Sequence, residues 1–470
     1  MLFVLFQLTV TVTPPRLEAS DSIDGILDEP VWSQAAWLGT FTRTGRSTAG
    51  PPSNRPRFWS GTPRPLSILG SGPPPSPAPS GPTSPTAIAA SFRTTTSRSS
   101  WAPPLPPEPS LELSGELPGL LSAADRAIGR LDGSVLTLPN PDLFVFMYVR
   151  KEAVLSSQIE GTQSSLQDLL AAEADLFTQD QPRDVAEVIN YVRAMNQGLA
   201  RLPDLPVSVR LIREIHADLM GGVRGDRLQP GELRTSQNWI GPAGSTLNSA
   251  GFVPPPHHVV PDALGALENF LHSEDDLPPL VKIALVHVQF ETIHPFLDGN
   301  GRVGRLLITF LLTERGLLQK PVLYLSHYFK RHRQSYYEHL QAVRDHGAWE
   351  AWLAFFLHGV VEVAIEAADT ARRILRLRED HRTAVSANLG RGAGNGLKVL
   401  ESLFDRPIVA VNDVSRLTGT TYAAANGLVS RLVKIGVLDE MTGNARNRRF
   451  RYAPYIALFN DATLGPEGST

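Results

Sequence analysis

Twelve consecutive residues, His294-Pro295-Phe296-Leu297-Asp298-Gly299-Asn300-Gly301-Arg302-Val303-Gly304-Arg305, constrain this chain more than any other stretch. The run that follows, residues 301–315, is mostly apolar and reads as a helix, so Gly299-Asn300-Gly301 is a tight turn at a helix N-terminus. Glycine reaches left-handed backbone angles and lets a ligand approach the amides, and asparagine tolerates such angles better than most residues. The free amide hydrogens and the positive end of the helix dipole then face an anion. Arg302 and Arg305, three apart, leave the first turn on neighbouring sides and can fork around phosphate oxygens. Asp298 offers a hard oxygen ligand suited to Mg2+. His294, at the end of the preceding helical segment, can take a proton from a hydroxyl if its imidazole stays near its ordinary pKa. Phe296 reads as a core anchor for the loop. Taken singly these groups have plainer roles: an Asx-turn acceptor, a cap, solvated arginines. Gathered in one turn, they point to polyphosphate chemistry.

The segment resembles the signature of the Fic (filamentation induced by cAMP) family, His-Pro-Phe-x-Asp/Glu-Gly-Asn-Gly-Arg-x-x-Arg, and matches it at every position. The resemblance implies transfer of AMP from ATP to a Ser, Thr or Tyr hydroxyl of a target protein, with release of pyrophosphate. It implies His294 as general base and Asp298 as ligand of a Mg2+ that bridges the α and β phosphates. Asn300, with the amides of Gly299 and Gly301, would form the anion hole, Arg302 would contact the β phosphate, and Arg305 would clamp the γ phosphate. Some family members move other phosphate-containing groups or remove AMP, so the resemblance leaves the reaction open.

A second motif, Leu155-Ser156-Ser157-Gln158-Ile159-Glu160-Gly161-Thr162, lies in a helical stretch that starts near Pro141. On its own, Glu160-Gly161 is a helix C-terminus and the hydroxyls are capping or surface groups. The resemblance implies an autoinhibitory motif, Ser/Thr-x-x-x-Glu-Gly, which Ser156, Glu160 and Gly161 fit. Its Glu160 would pair with Arg305 and deny that arginine to the γ phosphate. The motif stands ahead of the catalytic loop, as in the class of Fic proteins whose inhibitory helix precedes the core. Low basal activity is expected, with a rise when Glu160 is replaced by glycine.

Between the motifs, residues 231–241 and 252–256 carry too many glycines and prolines for a long helix but hold short strand-like pieces. They predict a β-hairpin flap, with Trp239 and Ile240 as satellite core residues in the plainer reading. In the resembling family the flap holds the target segment by strand addition, which places Arg234, Thr235 and Asn238 near the site without assigning them roles. His257 and His258 have no ligand partners at metal spacing and read as surface.

The chain has 470 residues, no cysteine and a net charge of −3. Disulfide scaffolds, thiolate zinc sites and cysteine nucleophiles are thereby excluded, a cytoplasmic protein is expected, and no global field advertises nucleic acid or membrane. No glycine-rich loop followed by Lys-Ser/Thr is present, which makes a P-loop ATPase or kinase a weaker rival. Residues 1–12 are apolar like a short signal segment, but the first basic residue is Arg16 and no cleavage site follows. Residues 21–41 faintly resemble the start of a carbohydrate-binding sandwich module that never completes. Residues 42–100, rich in Pro, Ser, Thr, Gly and Arg, cannot bury a core. Residues 1–100 are therefore expected to be a disordered or spurious extension.

The expected fold is mainly α: a Fic-type helical core with a small β-hairpin flap, plus a C-terminal winged helix-turn-helix. The divisions are 101–180, an N-terminal helical region with the inhibitory helix; 181–345, the catalytic core; 346–395, a helical linker; and 396–460, the winged helix. Core helices are expected over 184–202, 208–220, 262–273, 279–291 and 301–315, then 326–342 and 348–378. Residues 280–291 are apolar on almost every face, marking a central helix with His287 as a satisfied interior histidine. Residues 390–396 form a glycine-rich hinge before helices at 397–404, 411–418 and 421–435 and a basic hairpin over 438–452. A winged helix reads a major groove with its second helix and touches phosphates with the wing, here residues 444–451. Two functions follow. One is an adenylyltransferase acting on a target protein, expected as a homodimer with no membrane partner. The other is a DNA-binding regulator, through 396–460, whose core serves as a nucleotide sensor or dimerisation scaffold.

Overall fold

The computed structural model describes residues 103–138, 140–174, 184–223, 228–241, 244–443 and 447–459. The expectations for residues 1–100 and for wing residues 444–446 lie outside them. Helix α1 (Leu117–Leu136) begins with proline in its first turn, where the missing N–H costs nothing. Helix α2 (Pro141–Ile159) starts on Asn140, whose side chain accepts from the Asp142 amide, and ends at Glu160. Helix α3 (Leu166–Glu173) is started by a reciprocal Ser165–Asp168 capping box. Helices α4 (Val185–Arg201) and α5 (Val209–Met220) pair as a hairpin; Gly198 allows Phe310 and Ile215 to close against α4.

After α6 (Val260–His272) come the two helices that position the site. Helix α7 (Pro279–Ile293) is buried on every side from Leu280 onward, as its apolar sequence requires. It continues past residue 291 to Ile293, so His294 is its C-cap. Helix α8 (Asn300–Glu314) packs against it, and the six residues 294–299 form the turn between them. His287 is the interior histidine expected, with Nδ1 bonded to the Gly304 carbonyl at 3.0 Å and Nε2 to the Tyr336 hydroxyl at 2.8 Å.

Helices α9 (Ser326–Arg331) and α10 (Arg333–His346) lead into α11 (Trp349–Asn388), 40 residues long. By length and composition α11 could cross a membrane, but 61 % of its most apolar window is buried inside the fold. It packs along α1, and Trp352 Nε1 donates to the Ala284 carbonyl of α7 at 2.9 Å. The glycine-rich hinge expected at 390–396 is instead compact: α11 runs to Asn388, a 3-10 turn covers Gly390–Gly392, and α12 (Ala393–Ser402) follows directly. The reason is packing. A Cβ at Gly396 would strike Val385 of α11 and its C-cap Leu389, and Glu401 takes ion pairs from Arg378 and Arg382.

The C-terminal unit adds β1 (Ile408–Ala410), α13 (Val411–Thr418), α14 (Tyr422–Lys434), β2 (Asp439–Glu440), β3 (Arg449–Arg451) and α15 (Ala453–Ile456). Its three strands form an antiparallel sheet in the order β1-β3-β2. The described flap is slighter than a hairpin ladder, a single antiparallel bridge between Ile240 and Phe252. Proline at positions 254–256 removes the amides that would extend it.

Candidate active site

The turn between α7 and α8 is held open by side chains that pair with its own backbone. Phe296 is fully buried, as an anchor should be, and stacks on His216 of α5 at 3.7 Å with the rings 4° from parallel. His216 Nδ1 accepts from the Gly231 amide at 2.8 Å, so the proton sits on Nε2, which donates to the Asp298 carbonyl at 2.9 Å. Burial pushes this imidazole down to about 4, keeping it neutral. Asn300 closes the turn: Oδ1 accepts from the Phe296 amide and Nδ2 donates to its carbonyl, both at 2.8 Å. Gly299 takes a φ of +79°, where a side chain would be strained and would meet Met220. Helical bonding in α8 begins with Val303 N–H donating to Gly299 O, so the amides of Asn300, Gly301 and Arg302 precede the first intrahelical bond.

The charged groups sit on this frame. Asp298 Oδ1 accepts from the Gly299 amide at 2.7 Å and lies 3.7 Å from Arg302, while its side chain stays 25 % exposed. Arg302 and Arg305 are both buried, and they diverge rather than fork together. Arg302 turns to α4 and pairs with Glu187 at 3.1 Å. Arg305 turns to α2: Nε donates to Ser156 Oγ at 2.8 Å, and Nη2 to Ser156 O at 3.0 Å and to Glu160 Oε1 at 2.6 Å. Burial acts to lower the pKa of Arg305, but Glu160 and its other neighbours outweigh it and hold the group firmly charged. Gly161, at φ +101°, turns the chain away just after Glu160. Gly301 makes room for the pair, since a Cβ there would collide with Glu160 Oε1.

His294 departs from the sequence expectation in one respect. Its pKa is not ordinary. Burial, then the guanidinium groups of Arg234 and Arg344, push it down to about 3. Its Nδ1 makes no hydrogen bond among the described residues. The backbone is left-handed, at φ 50° and ψ 61°, a conformation few non-glycine residues adopt. From the flap segment, Arg234 and Asn238 reach the loop: Arg234 N–H donates to Pro295 O at 2.9 Å and Asn238 Nδ2 to Phe296 O at 3.0 Å. Thr235 is exposed.

Sequence reasoning missed several members of this site. Glu187 and His216 lie on amphipathic helices with no local mark to distinguish them. Glu152, one turn before Ser156, accepts from Tyr191 at 3.0 Å and from Ser326, and burial pushes it up to about 7. Glu291 is buried against Gly304 with Oε1 unpartnered, and burial, partly opposed by Arg305, raises it to about 7. A carboxylate inside the mostly apolar α7 is the one signal the sequence offers.

Residues 119–200 match the Fic/DOC family N-terminal model and residues 206–312 the Fic/DOC family model. A probable protein adenylyltransferase of Aquifex aeolicus is 33 % identical over 181 residues, covering 37 % of this chain and 51 % of that protein. The protein adenylyltransferase Fic of Aedes aegypti is 30 % identical over 186 residues, 39 % of this chain and 33 % of its own. A Fic family protein of Desulfovibrio desulfuricans G20, known as a crystal structure, aligns with a TM-score of 0.49 at 20 % identity, over 73 % of this chain and 97 % of that one. The chain thus spans about half of the first curated relative and a third of the second. Across residues 119–200 and 206–312 it is similar to the Fic/DOC family and, over part of their length, to protein adenylyltransferases.

Proposed function

We propose that this chain is a protein adenylyltransferase that transfers AMP from ATP to a hydroxyl of a target protein and is held inactive by Glu160. The observation that carries the reading is the buried Arg305–Glu160 ion pair at 2.6 Å, made from the same turn of α8 that carries the loop amides. In the reaction, the target oxygen bonds to the α phosphorus, the bond from that phosphorus to the bridging oxygen breaks, and pyrophosphate leaves. His294 takes the hydroxyl proton; a positioned base of this kind contributes roughly 100- to 10,000-fold. The Gly301 amide and the side chains of Asn300 and Arg302 would hold the α and β phosphates, joined by the Gly299 amide once Asp298 Oδ1 releases it, with Arg305 on the γ phosphate once Glu160 has left. The partly exposed Asp298 carboxylate, beside those amides, fits a Mg2+ ion, which when bound would neutralise phosphate charge. The motif Ser156, Glu160 and Gly161 is then autoinhibitory: Ser156 and Glu160 together occupy the guanidinium that ATP needs.

The test is incubation of native protein, Glu160→Gly and Glu160→Gly/His294→Ala with α-labelled ATP, Mg2+ and cell lysate. Label is expected on a distinct protein, faint with native chain, strong with Glu160→Gly and absent without His294. Label that persists without His294 would overturn the assignment.

The C-terminal unit reads as a winged helix, with α13 and α14 as its helix-turn-helix and the β2–β3 connection as the wing. Its compactness with α12 supports a division near residue 389 rather than within a flexible hinge. The second reading, a regulator binding DNA through 396–460, draws on Tyr422, 55 % exposed in the first turn of α14, where such a fold meets base edges. It predicts salt-dependent DNA binding without transfer.

A further inference from the structure

The flap segment is usually a place for the target. Here one of its side chains is turned inward. Arg234 is 2 % exposed, and its bonds converge on the end of α7. Nε donates to His294 O at 2.9 Å, Nη2 to Ile293 O at 3.4 Å and to Pro255 O, and its own amide to Pro295 O at 2.9 Å. Three successive carbonyls, 293 to 295, therefore accept from one residue that lies about sixty positions earlier in the chain. The middle one belongs to the residue with left-handed backbone. Such a conformation is strained in a non-glycine residue and persists only where its surroundings enforce it. Burial lowers the Arg234 pKa only to about 10, so the group is a fixed cation at neutral pH.

A second guanidinium supports the same helix end. Arg344 Nη2 donates to Glu291 O at 3.0 Å, Nε to Thr292 Oγ1 at 3.3 Å, and its guanidinium lies 3.6 Å from the ring centroid of Phe252, the flap's bridge partner. The charged groups that act on His294 are thus Arg234 from the flap and Arg344 from α10, both cations that add to burial in favouring the neutral imidazole, while the Glu291 backbone acts the other way.

We propose that Arg234 is a positioning residue for the base: from the flap it fixes His294 in the left-handed conformation that aims the imidazole. This rests on His294 acting as the base, so the test includes a readout that needs no transfer. Arg234→Lys, which keeps the charge but loses the fork, and Arg234→Ala are made in the Glu160→Gly chain. The backbone is followed by the His294 Cα and Cβ chemical shifts, protonation by its imidazole resonances against pH, and transfer by kcat and KM for ATP.

For Arg234→Lys, the Cα and Cβ shifts are expected to leave the left-handed range while the imidazole titrates near its parent position. Its kcat should fall on the order of 100-fold, the scale of a misplaced reacting group, with KM for ATP within about twofold because phosphate contacts lie elsewhere. For Arg234→Ala, the imidazole should also titrate at higher pH and the acid limb of kcat should move up with it. Unchanged His294 shifts in Arg234→Lys would overturn the proposal whether or not Arg234→Ala folds, and so would a parent-like kcat. If the parent Glu160→Gly chain transfers nothing, the adenylyltransferase reading fails by itself, and the shifts and titration still decide the positioning role.

Discussion

Glu160 Oε1 lies 2.6 Å from Arg305 Nη2 and fills the space that a side chain at Gly301 would need. A single carboxylate oxygen therefore neutralises the buried guanidinium and covers the second residue of α8. Helix α2 delivers it there because its own C-terminus falls at Glu160, and Ser156, one turn earlier, accepts two further bonds from the same guanidinium.

Removing that oxygen should cost stability while it frees the site. Arg305 would be left buried without its counter-ion, a loss of roughly 3 kcal/mol at the lower end of the usual range, because Glu160 is itself slightly exposed. Glu160→Gly should therefore melt several degrees below the native chain. ATP with Mg2+ should raise the variant's Tm far more than the native one's, since triphosphate replaces the lost charge. Equal ATP-induced shifts in both proteins, read by differential scanning fluorimetry, would sink the competition between Glu160 and nucleotide.

Gly301→Ala offers a steric route to the same end. The new methyl meets the tip of a flexible side chain, so the cheapest relief is for Glu160 to withdraw. Labelling by Gly301→Ala should exceed that by the native chain. In the Glu160→Gly background the same change should give no rise, because the two substitutions remove one contact and cannot add. An equal gain in both backgrounds would show that Gly301 acts by some other means.

Legibility followed the range of each interaction. The turn and its anion-facing amides were readable because Gly299, Asn300 and the apolar run after them specify a local geometry, and Phe296 proved the anchor it looked like. The Arg305–Glu160 pair was expected only through the family resemblance, and the turn of Arg302 to Glu187, more than a hundred residues away, was not readable at all. His294 looked ordinary for the same reason: the tertiary burial that chiefly depresses it, and the cations from the flap and from α10 that add to it, are not local to its sequence. The hinge at 390–396 misled because glycine also serves close packing, here against Leu389 and Val385.

The depressed His294 has a kinetic consequence. An imidazole with an ordinary pKa would give kcat an acid limb near pH 6.5, whereas one pushed to about 3 is neutral throughout the usual working range. Transfer by Glu160→Gly, measured as kcat from pH 5 to 8, should show no limb with a midpoint near 6.5 that is attributable to the base. A limb at that position that disappears in a His294-independent assay of ATP binding would mean the base titrates normally, and that its burial does not persist in the active state.

Glu291 makes the opposite kind of group testable. Its carboxyl is buried with Oε1 unpartnered, and burial pushes its folded pKa up to about 7 from an ordinary value of 4.5. A raised carboxyl contributes stability that is fully present below the unfolded pKa and lost as pH rises through the folded one. The native chain should therefore lose stability between about pH 4.5 and 7 on account of this residue, by at most roughly 3 kcal/mol. Glu291→Gln keeps the shape and removes the proton. Its denaturation midpoint in urea should sit near the native one at pH 5 and above it at pH 8, where the native carboxylate must carry its charge in the core. A variant destabilised equally at both values would mean that Glu291 is held ionised by Arg305 and Arg344, and that its charge supports the helix end that carries His294.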